Sequence, residues 1–115
     1  MLPRRRKPQR SGIARVPRKH FPSHLAWLRG FVCCVHERGD CEGRIEAAHV
    51  RLGAHAGMGQ KPDDRRAVPL CAHHHAEQHR IGEASFAAKY KIDLEAVADR
   101  LARVSPHRWR WEDQG

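Results

Sequence analysis

Apolar residues fall in short runs, each closed by glycine, proline or a group of charges. Ser23 stands where a helix N-cap would. Leu25, Trp27, Leu28 and Phe31, around a stop at Gly30, predict a short helix with Trp27 and Phe31 as core anchors. RIEAAHV at 44–50 is short, apolar-rich and followed by a glycine-bearing loop, and AVPL at 67–70 is a second brief extended run, so both read as strands. Pro69 removes a ladder donor, which places the second strand at an edge or a bulge. From Cys71 the pattern turns helical until Gly82 offers a C-cap, and a further helix begins near Glu83. Asp93 caps a last helix, in which Leu94, Val97, Leu101 and Val104 form a core stripe until Ser105 and Pro106 stop it. There are no internal repeats.

A chain of 115 residues suffices for one domain with a modest core, so it needs staples. Four cysteines (Cys33, Cys34, Cys41 and Cys71) and ten histidines supply candidates, four of the histidines lying between His73 and His79. Metal fits better than disulfides, because cysteine and histidine intermix and no export signal or membrane-spanning run is present. A cytoplasmic location is expected.

The net charge of +9 is unevenly placed: residues 1–36 hold nine Lys or Arg and no acid, and the rest balances. Residues 1–22, with four prolines and few apolar positions, read as a disordered basic arm. Such a block beside a neutral body is either a solubility tail or a segment that meets a polyanion. In the second case Arg4, Arg5, Arg6, Lys7, Arg18 and Lys19 are the DNA-binding residues. The domain then runs over 23–90, a packing helix over 91–105 and a tail over 106–115. In that tail Trp109 and Trp111 alternate with Arg108 and Arg110, to dock on the body or to stack on bases.

Structural zinc takes four Cys or His ligands, usually as two close pairs. Cys71 and His74 have the C-x-x-H spacing that lets a turn entering a helix present two ligands. For the other pair, Cys34 with Cys41 is the first choice and Cys33 with His36 the alternative. One closed site leaves His49, His55, His75 and His79 over. His75 and His79 are four apart, on one helical face, and can share a second ion; a solvated histidine-rich face is the plainer account. HAEQH lacks the glutamate of H-E-x-x-H, which argues against a zinc protease.

Taken together, the cysteines, EAAHV, GMGQKPDDRRAVPLC and HHAEQH resemble the HNH endonucleases, in particular a small zinc-containing phage and prophage group. The similarity covers about residues 24–86. It implies an α+β fold: a small zinc-stapled ββα-metal, treble-clef-like domain with flanking helices. By position, His49 corresponds to the general base that deprotonates the attacking water, a task suited to imidazole's ordinary pKa. His75 and His79 correspond to ligands of a catalytic divalent ion (Mg²⁺, Mn²⁺, Ni²⁺ or Zn²⁺) that polarises the phosphate. The chain departs from the family in having no asparagine, for which Asp64 or Asp63 is the nearest substitute, and in having Ala48 where many relatives place a metal ligand. A swap is also open, with His49 as ligand and His55 nearer the water.

Gly53, Gly57, Gly59 and Lys61 lie in the loop between the strands, where glycines admit a phosphate and Lys61 adds a point charge; an ordinary flexible loop is equally compatible. The resemblance implies DNA as partner, a recombination protein as a further one, and a bacterial or phage-infected cell. Two functions follow from different classes. One is a DNA endonuclease. The other is a non-catalytic zinc module that binds nucleic acid.

Overall fold

The computed structural model describes residues 20–51 and 63–112. Helix α1 spans Pro22–Leu28 and begins two residues earlier than the sequence suggests: Phe21 is the N-cap and Pro22 takes the first turn. A proline there costs nothing, because that N–H has no intrahelical partner in any case, so Ser23 is not the cap. A 3₁₀ turn at His36–Arg38 follows, then strand β1 over Ile45–His49 and strand β2 over Ala67–Cys71. Four helices complete the chain: α2 (Ala72–Ile81), α3 (Glu83–Tyr90), α4 (Leu94–Val104) and the single turn α5 (Trp109–Glu112). The architecture is a mixed α+β one.

The two strands pair antiparallel, with Ile45 opposite Cys71, Ala47 opposite Pro69 and His49 opposite Ala67. Val50 N–H donates to Arg66 O and Ala72 N–H to Arg44 O, so Pro69 falls at a non-bonded position of the ladder, where its missing donor is not required. Its carbonyl accepts instead from Cys34 N–H, which ties the segment after α1 to the open edge of β2. Strand β2 is buried along its whole length. Ala48, Val50, Val68 and Leu70 join Phe86 of α3 and Leu94 and Ala98 of α4 in the core.

The α4 stripe is only partly inward. Leu94 and Ala98 are buried, whereas Val104 is 58% exposed. Asp93 caps the helix as expected, accepting from Ala96 N–H at 3.0 Å. Trp27 is half-buried and Phe31 is exposed, the two rings meeting edge to face, so neither anchors the core. In the tail, Trp111 docks against Phe21 and His24, and Trp109 stays exposed with Arg110 over its ring. Among the described residues, no helix is long and apolar enough to cross a membrane.

Candidate functional site

Cys71 ends β2 and caps α2, its sulfur accepting from His74 N–H. The first helical turn thereby brings His74 Nδ1 to 3.1 Å from Cys71 Sγ. Cys33 Sγ and Cys41 Sγ lie 3.5 and 3.6 Å from the same nitrogen, and the four ligand atoms all fall within 4.8 Å of one another. A tetrahedral zinc site with Zn–S near 2.3 Å and Zn–N near 2.05 Å has an S···N edge of about 3.6 Å, so the Cys₃His donor set and its spacing fit zinc.

Cys41 reaches the cluster through a tight knuckle in which Gly39 and Gly43 have positive φ. At Gly43 a Cβ would stand 2.7 Å from Ala72 Cβ, so only glycine lets the chain pass α2. Burial raises the Cys71 thiol, but the backbone N–H groups of His74 and Glu42 and the neighbouring thiols outweigh it and hold Cys71 below its ordinary pKa. That is the helix-N-terminal setting in which a thiolate ligand forms readily.

The sequence pairing of Cys34 with Cys41 is corrected: Cys33, not its neighbour Cys34, joins Cys41 in the cluster. Cys34 is half-buried against the core, and burial first, with the adjacent Cys33 thiol second, pushes it up to about 12, so it remains a thiol. His36, the alternative partner, is exposed and outside the cluster.

At the end of β1, His49 Nε2 is 2.8 Å from Oδ1 of Asp64, which is fully buried. A carboxylate only accepts, so Nε2 carries the proton and Nδ1 of the neutral ring carries the lone pair. The second oxygen, Oδ2, accepts from Phe21 N–H at 2.8 Å and lies 2.9 Å from His20 Nδ1. Asp63 is spoken for elsewhere, with Arg65 bonded to both its oxygens. Of the two candidate acids, Asp64 is therefore the one that holds His49.

A third group forms between β1 and α2. His75 Nδ1 is 2.7 Å from Glu46 Oε1, and His79 Nε2 is 3.2 Å from His75 Nε2. The bond to Glu46 fixes the proton on Nδ1 of His75 and leaves its Nε2 lone pair directed at His79. Two imidazole nitrogens on one divalent ion stand about 3.0–3.4 Å apart, so this pair suits a shared metal ion. Glu46 and His49 are three apart in the strand and leave opposite faces of it.

His49 and Asp64 are thus brought together, as are His75 and His79. Lys61, His55 and the glycines Gly53, Gly57 and Gly59 lie outside the described residues, as do Arg4, Arg5, Arg6, Lys7, Arg18 and Lys19. Glu46 and His20 carry no signal in a ligand count. Glu46 is findable only from strand alternation, which places it on the face of Ala48 and of its partner Leu70. No family model, curated protein or solved structure matches the chain.

Proposed function

We propose that the chain is an HNH-type, metal-dependent endonuclease that hydrolyses DNA phosphodiester bonds on a ββα-metal, treble-clef-like scaffold. The observation that carries this reading is the hydrogen-bonded pair His49–Asp64 at the end of β1, on the hairpin that leads into the helix bearing His75 and His79. A structural zinc site requires none of these four residues.

In this reading His49 Nδ1 takes the proton of the attacking water, and Asp64 orients the ring and stabilises the imidazolium that results. Asp64 takes the orienting role of the family's asparagine through its contact with His49. His75 and His79 hold the divalent ion, and Glu46 orients His75. When bound, such an ion supplies Lewis-acid polarisation of the phosphate and stabilises charge on the departing oxygen. Cys33, Cys41, Cys71 and His74 hold structural zinc and take no part in the chemistry. The cations of residues 1–19, including Arg4, Arg5, Arg6, Lys7, Arg18 and Lys19, and Lys61 in the loop bind the DNA backbone.

A non-catalytic nucleic-acid-binding zinc module is the second reading, favoured by the Cys₃His cluster together with the basic N-terminal third. A plasmid-nicking assay with Mg²⁺, Mn²⁺, Ni²⁺ or Zn²⁺ against a chelator control separates the two. Nicking by the parent chain, falling about 10²- to 10⁴-fold in His49→Ala with DNA affinity nearly unchanged, is the expected result. DNA binding without nicking in any metal would leave the second reading standing.

A further inference from the structure

Asp64 is held from two sides. Its Oδ1 faces His49, and its Oδ2 accepts from Phe21 N–H at 2.8 Å and lies within ion-pair distance of His20 Nδ1, at 2.9 Å. A carboxylate gripped through one oxygen can still turn about its Cβ–Cγ bond, whereas donors on both oxygens fix its plane and hence the direction it offers to a third group. The chain entry itself does not depend on His20. Phe21 is buried and packs edge to face on Trp111 with centroids 5.1 Å apart, while the His20 side chain is 62% exposed. An exposed side chain aimed at a fully buried carboxylate does little for the core and much for the carboxylate's orientation.

We infer that His20 is a positioning residue: its imidazole, in ion-pair contact with Oδ2 beside Phe21 N–H, holds the Asp64 carboxylate in the plane that orients His49. Its importance for catalysis rests on the reading of His49 as general base; its hold on Asp64 does not.

The test uses the full zinc-loaded chain with His20→Ala and His20→Asn. Asparagine places Nδ2 as many bonds from the backbone as histidine places Nδ1, so it restores the donor without the ring. The first readout is independent of activity: the His49 Nε2–H resonance in ¹H–¹⁵N spectra and its exchange with water. Exchange is expected to rise about 5-fold in His20→Ala, the equivalent of one ordinary hydrogen bond, and to return to within about 2-fold of the parent in His20→Asn. The second readout is DNA cleavage, where kcat falls about 5-fold in His20→Ala with DNA affinity within about 2-fold, and His20→Asn recovers it. Unchanged Nε2–H exchange in His20→Ala overturns the inference. Near-parent cutting by His49→Ala overturns the reading of His49 as base, and the exchange measurement still decides whether His20 holds Asp64.

Discussion

The Nε2 atoms of His75 and His79 face each other 3.2 Å apart across one turn of α2. With Nδ1 of His75 donating to Glu46, its Nε2 accepts from His79 Nε2–H, and a divalent ion would take the place of that shared proton, held by ligands whose tautomer and basicity a carboxylate outside the coordination sphere fixes. Glu46→Gln is therefore expected to weaken binding of a second divalent ion by about 10- to 100-fold, and His79→Ala to abolish it at micromolar metal. Calorimetric titration of Mn²⁺ or Ni²⁺ into zinc-loaded protein measures both. Equal affinities in parent and variants would place that ion elsewhere.

Cys33 and Cys34 are neighbours with opposite fates. Cys33→Ser, Cys41→Ser and Cys71→Ser each remove one of four converging ligands, and in a small stapled domain metal-binding free energy is folding free energy, about 10–16 kcal/mol for zinc-finger peptides. Each is expected to release zinc and lose the cooperative thermal transition, while Cys34→Ser keeps one zinc per chain and a transition within a few degrees of the parent. Zinc content after gel filtration, with a melting curve, checks this. Zinc loss from Cys34→Ser with retention by Cys33→Ser would restore the pairing read from spacing.

The hairpin, the helix that follows it and the caps Gly82 and Asp93 were all legible in the sequence, because period-two and period-3.6 patterns and cap residues are local signals. Cys71 and His74 were legible for the same reason, being three apart in one turn. The partner cysteine was not. Adjacent residues differ only in which way the chain turns, and that is set by Cys34 N–H bonding to Pro69 O, a contact between segments 35 residues apart in sequence. His20 and Glu46 were hidden likewise, since each acquires its role from a side chain that folding brings near, Asp64 in one case and His75 in the other. Val104 and Phe31 obey the helical spacing but extend past the neighbours that would cover them.

Acid sensitivity is expected at His24. Its side chain is fully buried between Trp27 and Trp111, with Nδ1 2.9 Å from Ser105 Oγ and no hydrogen-bond partner for Nε2. Burial, then repulsion from His107, lowers its pKa from 6.5, against smaller opposing effects of Asp64 and Asp63. The unfolded ring therefore takes its proton first as pH falls. Stability is intact above the unfolded value, declines below it, and levels off once the folded ring is also protonated. Urea midpoints of zinc-loaded protein are expected to fall more between pH 7 and pH 5 for the parent than for His24→Leu, and parallel curves would sink the assignment.

The arm gives the last prediction. Residues 1–19 hold eight Lys or Arg and no acid, so if half of them meet phosphates, deleting the segment flattens the slope of log affinity against log salt by about 3 to 4 units. Phosphate contacts do not read bases, so two unrelated duplexes lose affinity alike. The place of the cut matters, because the structure puts the boundary at residue 20 rather than after 22: His20 and Phe21 N–H grip Asp64, and Pro22 already begins α1. Deleting 1–19 is expected to spare cleavage at saturating enzyme, since His20, His49, Asp64, His75 and His79 all remain. Deleting 1–22 removes Phe21 N–H and His20 from Asp64 Oδ2 and is expected to reduce the saturated rate as well, by at least about 5-fold. Salt titrations of binding and single-turnover cleavage on both truncations check the two effects separately. A slope unchanged by either deletion would make the arm a passive tail, and equal saturated rates would release Asp64 from any dependence on the chain entry.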